Sequence, residues 1–477
     1  MQEVVQGFVS SINEFLWSYL LIAMLIAFGL FFTFRSKFLQ IRLLREMIRV
    51  LKEGADSSSK DGISPFQAFC ISMAARVGTG NITGIAIAIA LGGPGAVFWM
   101  WVLAVIGSAS AFIESTLAQI YKVKDKDGGF RGGPAYYMEK GLKKRWMGGL
   151  FAVLITLSFG LIFNAVQSNT ITLAFENAFG TNRLVLGIIM TVAFAAIIFG
   201  GVKRIAKMSE YIVVVLAVAY IGVALFIIIM NIQEMPSLIA LIVKNAFGFE
   251  QIAGGSLGAA LMQGIKRGLF SNEAGMGSAP NAAAAATTSH PVKQGLIQAF
   301  GVLTDTLIIC SSTAFIILLS GAYTNKNLSG IELTQAALST HIGSWAAGAL
   351  AIMIFLFAFS TLIGNYYYGE TNIEFLNTNK AWLMTYRIAV LAMIVFGSIS
   401  QIQLVWDLAD LFMGFMVVVN LIAILLLSKV AFAALKDYLA QKKAGKDPVF
   451  YQDSISGIDN IDAWDHSKDK SSSKKAI

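Results

Sequence analysis

Charge is what this sequence has least of. Only 13% of its 477 residues are Asp, Glu, Lys or Arg, against roughly 25% in soluble domains, and 56% are hydrophobic. With a mean hydropathy of +0.69, a water-soluble globular chain is excluded and a polytopic membrane protein, surrounded by lipid, is expected. Histidine is scarce too. The three, at 290, 341 and 466, fall in expected loops or the tail, so no triad or metal cluster is visible and an enzyme is disfavoured. Cys70 and Cys310 are the two cysteines; both lie in apolar segments without ligand-like neighbours and read as packing residues. A basic leader is missing as well: Met1 to Trp17 carries Glu3 and Glu14 and no basic cluster, so the first apolar run is expected to remain as a helix.

The net charge of +8 does not imply nucleic acid, because the basic residues lie between and after apolar runs, where they report topology. Runs near the 20-residue spanning length place helices at about 15–34, 66–91, 95–120, 148–179, 184–200, 209–231, 256–286, 294–320, 345–374, 381–399 and 405–435. With these eleven spans, the basic segments 35–60, 122–145, 203–207 and the tail after Lys429 all fall on one face, expected to be cytoplasmic. The N-terminus is then outside and the C-terminus inside. Arg183, Lys244 and Lys326 are the chief basic residues left to the other face. Trp17, Trp99, Trp101, Trp146, Trp345, Trp382 and Trp406 sit near span ends, as an interfacial belt requires. The glycine-rich run from Gly128 to Pro134 reads as a structured loop or hairpin, since no strand-to-helix phosphate motif surrounds it.

Two spans carry polar, glycine-broken stretches that cannot face lipid. They are Arg76-Val77-Gly78-Thr79-Gly80-Asn81-Ile82-Thr83-Gly84 and Gly268-Leu269-Phe270-Ser271-Asn272-Glu273-Ala274-Gly275-Met276-Gly277-Ser278-Ala279-Pro280. Transporters build substrate and ion sites from such discontinuous helices. After the first helix, each break opens a group of five spans. Five is odd, so the second group runs inverted. The expected organisation is 1–60 for the N-terminus, an extra helix and a loop, 61–231 and 232–436 for the two inverted repeats, and 437–477 for a disordered cytoplasmic tail.

Unwinding at Gly78, Gly80 and Gly84 frees amide hydrogens that suit a carboxylate. Ionisable residues inside spans are functional candidates. Among Arg76, Glu114, Glu273 and Asp305, an ion pair with Arg76 is favoured for Glu114 and Asp305. Glu273 is the better site candidate, or a holder of the break. Lys266 and Arg267 are expected to line a watery vestibule. Asn164, Gln167 and Ser168 share one helical face, with Gln167 favoured as a substrate contact. Ser360 and Thr361 are adjacent hydroxyls, either bonded to the preceding turn or offered as hard oxygen donors.

On these two motifs the chain resembles the alanine or glycine:cation symporters, also called sodium:alanine symporters, from about Trp17 to Lys436. The resemblance implies the leucine-transporter fold and uptake of a small neutral amino acid, alanine or glycine first, with co-transported sodium. It places the substrate carboxylate on the Thr79 and Gly80 amides, with Gln167, Phe270, Ser271, Asn272, Glu273, Gly275 and Met276 around it. It places sodium among Ala74, Val77, Phe357, Ser360 and Thr361. Glutamine or serine as substrate, a proton as coupling ion, and a transporter-like sensor remain alternatives. A channel is disfavoured because the polar residues concentrate at one depth.

Overall fold

The computed structural model describes residues 2–56, 63–125, 128–199, 202–248 and 257–464. In chain order these form α1 (Gly7–Arg35), α2 (Leu44–Asp56), α3 (Pro65–Arg76), α4 (Gly80–Gly92), α5 (Gly95–Ile120), the strands β1 (Val123–Lys124) and β2 (Phe130–Arg131), α6 (Pro134–Lys140), α7 (Arg145–Phe179), α8 (Arg183–Ile198) and α9 (Val202–Met230). The second half contains α10 (Met235–Ala246), α11 (Leu257–Asn272), α12 (Ala279–Ala285), α13 (Pro291–Ser320), α14 (Gly330–Ile342), α15 (Trp345–Leu376), α16 (Lys380–Ile399) and α17 (Ile402–Lys443).

Among the described residues seven helices are long and apolar enough to cross a membrane, and α3 with α4 passes the same test as a pair bent by 48°. Val215–Met230 with α10 makes another bent pair, at 105°. Each expected span has a helical counterpart. Three are not single full-length helices: 66–91 is divided into α3 and α4, 184–200 is the 16-residue α8, about 24 Å of helix, and 256–286 is split between α11 and α12 around its glycines. The short helices α10 and α14 escaped the hydropathy reading, as did amphipathic α2 on the basic segment. Burial works against ionisation of Glu46 in α2, but bonds from Arg49 and Tyr438 outweigh it and hold this carboxyl at about 2. The glycine-rich run closes a small antiparallel hairpin, Val123 opposite Arg131 and Lys124 opposite Phe130.

The interior is built on α5, which packs against α11 and α13, while α7 packs against α15 and α16. Two tryptophans depart from the expected belt. Trp146, Trp345 and Trp382 are exposed, but Trp17 and Trp406 are buried, because each pairs with polar groups inside the bundle.

The tail also differs from the sequence expectation. Helix α17 continues to Lys443, and residues 444–464 lie against the basic face. The Phe450 amide donates to the Ser289 carbonyl at 2.9 Å and Trp464 Nε1 to the Gln119 carbonyl at 3.0 Å. The cause is three apolar side chains, Phe450, Ile461 and Trp464, that bury themselves within an otherwise polar stretch; average composition hides them. Residues 465–477 lie outside the described residues.

Trp464 covers a buried lysine. Lys122 Nζ donates to Gln119 Oε1 at 2.8 Å and to the Ala286 carbonyl at 2.9 Å, with the Phe130 and Trp464 ring centres 4.0 and 4.7 Å away. Burial pushes its amine down to about 7, and the two rings, which favour the cation, narrow that shift. A lysine with a depressed folded pKa destabilises in full below that value and recovers as pH rises toward the ordinary lysine range. Between pH 6 and 9 the wild type should therefore gain about 2–5 °C more in melting temperature than Lys122→Met. Thermal unfolding of both proteins across that range checks it; parallel curves would place the titration elsewhere.

Candidate functional site

Helix α3 starts at a capping box, in which Ser64 Oγ accepts from the Gln67 amide and Gln67 Oε1 from the Ser64 amide, both at 3.1 Å, with Pro65 at the first turn. It stops at Arg76 because Val77 turns extended, with ψ 95°. The amides freed there are met by side chains. Gly78 N–H donates to Asn81 Oδ1 at 3.0 Å, and Thr79 N–H donates to Gln167 Oε1 at 3.2 Å. The Thr79 hydroxyl donates to the same Gln167 oxygen. Gln167 reaches this position from α7, where wide π-helical turns over Thr156–Phe163 precede it; such turns are frequent at functional sites. Its neighbours on that face stay local: Asn164 donates to the Gly160 carbonyl and Ser168 to the Ala165 carbonyl.

The second break opposes the first at contact distance. A methyl group at Gly80 would lie 3.1 Å from both Ser271 Cα and Phe270 Cδ1. Ser271 Oγ donates to Asp305 Oδ2 at 2.8 Å and Asn81 Nδ2 to Asp305 Oδ1 at 2.7 Å, so one fully buried carboxylate ties both breaks together. Cys310 Sγ lies 3.3 Å from Asn81 Nδ2 and 3.1 Å from Ser271 Oγ, so it borders the site instead of only filling space. Above, Phe163, Phe270 and Trp406 form a stack with ring centres 4.7 and 4.6 Å apart, and the Arg267 guanidinium lies 4.6 Å from the Trp406 ring centre.

Asn272, Glu273, Gly275 and Met276 belong to the loop between the half-helices. Left-handed backbone at Glu273 (φ 59°), Gly275 (φ 82°) and Gly277 (φ 86°) makes the turn, a conformation that strains a non-glycine residue by about 1 kcal/mol or more. Asn272 Nδ2 donates to Thr306 Oγ1 at 3.1 Å, the Met276 amide to the Glu273 carbonyl at 3.1 Å, and Ser278 Oγ to Glu273 Oε2 at 2.6 Å.

The holder of the break is Glu114. Its Oε1 accepts from the Gly275 amide and its Oε2 from the Gly277 amide, both at 3.1 Å, and Asn420 Nδ2 donates to Oε2 at 2.8 Å. This corrects the expected ion pairs: Glu114 and Asp305 are bonded to other groups, and none of the three Arg76 guanidinium nitrogens has a hydrogen-bond partner among the described residues. The backbone amides of a left-handed turn compete better for a buried carboxylate than a side chain on another helix. Glu114→Ala orphans two buried amides and is expected to destabilise by about 3 kcal/mol, whereas Glu114→Gln keeps one acceptor and should be milder. Thermal melting of the purified variants decides it, and equal losses would remove the acceptor role.

Of the five residues expected to hold a cation, four bring oxygens together around Thr361 Oγ1, while Ser360 bonds locally to its own helix. Thr361 Oγ1 lies within hydrogen-bond distance of the carbonyls of Ala74 (2.7 Å), Val77 (3.2 Å) and Phe357 (3.1 Å), with one proton to share among them, and Ser360 Oγ donates to the Phe357 carbonyl at 2.7 Å. Three carbonyls and two hydroxyls are the hard donor set a small cation takes.

Three site residues escaped the sequence reading. Asp410 and Asn420 lie within the last span and Trp406 near its start, and the rule that flagged Glu114 applies equally to Asp410. Asp410 accepts from Lys266 and Arg267, both at 2.6 Å, beside a cavity of about 330 Å³ that these two basic residues line as expected.

A family model described as the sodium:alanine symporter family matches residues 1–452. The probable sodium/glutamine symporter GlnT of Bacillus subtilis is 74% identical over 464 residues, covering 97% of each chain. The amino-acid carrier protein AlsT of the same organism is 57% identical, covering 98% of this chain and 99% of its own. The sodium/alanine symporter AgcS of Methanococcus maripaludis is 39% identical, covering 90% and 96%. A manganese transporter from Eremococcus coleocola, of known structure, aligns with 15% identity and a TM-score of 0.48 over 81% of each chain.

Proposed function

The chain belongs to the sodium:alanine symporter family, and on that premise we propose that it is a sodium-coupled secondary active symporter that imports a neutral amino acid. The proposed architecture has eleven spans, ten of them in two inverted groups of five, with the basic face in the cytoplasm and the N-terminus outside. One observation carries this reading: the two helix breaks meet at a single polar centre, where the freed Thr79 amide already holds a side-chain oxygen. Breaks of this kind are the substrate and ion sites of inverted-repeat transporters.

In this reading the substrate carboxylate takes the place of Gln167 Oε1 on Thr79, helped by the positive end of the half-helix that begins at Gly80. Phe270 roofs the pocket and Ser271 lines it. Sodium lies among the Ala74, Val77 and Phe357 carbonyls and the Ser360 and Thr361 hydroxyls, so cation and substrate share the first break. No covalent chemistry is required of any residue. Alanine or glycine stood first on the sequence; the 74% identical relative, named a probable sodium/glutamine symporter, moves glutamine to first place.

Uptake by the purified chain in lipid vesicles, with labelled glutamine, alanine, glycine and serine and imposed sodium or proton gradients, tests the proposal. Sodium-driven accumulation of glutamine above alanine is expected. Binding without uptake would make the chain a sensor, and uptake driven equally by protons without sodium would overturn the coupling ion.

A further inference from the structure

We propose that the cavity above the aromatic roof is a second amino-acid site, a receiving station that binds the zwitterion before it reaches the central pocket. This rests on the symporter reading and on its orientation. The cavity holds about 330 Å³ and is lined by Gln263, Lys266, Arg267, Trp406, Asp407 and Asp410, among others. A space of that size accommodates a small ligand.

Its charges are built and incompletely used. Asp410 Oδ2 receives both Lys266 Nζ and Arg267 Nη2, while Asp410 Oδ1 has no partner among the described residues. Arg267 Nε and Nη1 have none either. The side chains of Arg267 and Asp410 are only 4% and 1% exposed, so bulk water does not serve these atoms. Gln263 Oε1 and Trp406 Nε1 are likewise buried and unpartnered. Buried polar atoms in native proteins are nearly always satisfied, and exceptions call for a ligand, a water or a function.

A free guanidinium edge beside a free carboxylate oxygen matches the two charges that an α-amino acid carries on one carbon. The carboxylate is assigned to Arg267, whose planar fork suits it, and the ammonium to Asp410 Oδ1, with Asp407 close by. A simple anion would meet the carboxylates of Glu332, Asp407 and Asp410, and a simple cation would meet Lys266 and Arg267. Only a zwitterion answers both signs. Arg267 also lies on Trp406, which lies on Phe270 above the central pocket. A carboxylate drawing Arg267 away from that stack loosens the roof, which gives the upper site a route to the lower one.

The test disables the lower site with Gly80→Val and looks for the upper one. Saturation-transfer NMR on the full chain in lipid nanodiscs, with L-glutamine and L-alanine as probes, should detect weak, sodium-independent binding in Gly80→Val. L-lactate, lacking the ammonium, and ethylamine, lacking the carboxylate, should compete at least tenfold less well. Adding Arg267→Ala should abolish the signal. If that double variant fails to fold, Arg267→Lys, which keeps the charge without the fork, should weaken it at least tenfold. In the wild-type background Arg267→Lys should lower kcat/KM for uptake about tenfold with kcat little changed. No binding to folded Gly80→Val, or equal competition by lactate, would overturn the second site. Wild-type, sodium-dependent affinity in Gly80→Val would instead overturn the central pocket.

Discussion

Gly80→Val is expected to weaken substrate binding at the central pocket at least 100-fold while leaving a folded, membrane-inserted protein. The added Cβ alone comes within 3.1 Å of the Ser271 backbone, and the two γ carbons of valine need room where Phe270 already packs. Overpacking of this kind costs about 1–3 kcal/mol. Here it acts as a wedge between two half-helices whose approach defines the pocket, so binding loses more than folding does. Each 1.4 kcal/mol is about tenfold in affinity, and lost alignment of the Thr79 amide adds to the wedge. Sodium-dependent binding of labelled glutamine and alanine to the purified variant, with size exclusion and thermal melting as controls, reads the effect. A folded variant with wild-type affinity would show that the carboxylate binds elsewhere.

The double substitution Ser360→Ala/Thr361→Ala is expected to raise the sodium concentration for half-maximal uptake by about 10–100-fold, which corresponds to about 1.4–2.8 kcal/mol of lost ion binding. Both hydroxyls are buried and bonded to carbonyls of the proposed ion site, and neither bonds to Thr79, Ser271 or Gln167. Substrate affinity at saturating sodium should change little. At low sodium it should fall, because coupling between two sites is reciprocal. A sodium titration of binding and uptake separates the two regimes. Unchanged sodium dependence would move the ion away from Thr361.

How much of this was legible in the sequence follows from what each signal measures. Hydropathy registers long apolar runs, so most spans could be placed, yet it could not see that 256–286 breaks into two helices or that Met235–Ala246 is helical. Glycine and polar residues inside apolar runs located both breaks. Register between helices is not written in any one segment. The convergence of Thr361 on the Ala74 and Val77 carbonyls was available only through resemblance, and the bond from Thr79 to Gln167 Oε1 only through the fold. Glu114 was given Arg76 as its partner in place of the Gly275 and Gly277 amides because sequence shows that a carboxylate is buried, not which donors surround it. Asp410 was missed although the rule for intramembrane charge applied to it. Phe450, Ile461 and Trp464 were missed because three anchors in a polar stretch barely move its average.

The bonds from Thr79 to Gln167 and the approach of Thr361 Oγ1 to three carbonyls have a consequence for the return stroke of the proposed cycle. A symporter that accumulates solute must reorient unladen once per cycle, and a centre left with bare amides and carbonyls would stall that step. Here the protein's own groups stand in: the Gln167 side-chain oxygen accepts from the freed Thr79 N–H, and the one Thr361 hydroxyl proton is shared between the Ala74 and Val77 carbonyls. In the proposed cycle this internal pairing lowers the cost of reorienting without cargo, which favours net accumulation over one-for-one exchange of solute across the membrane.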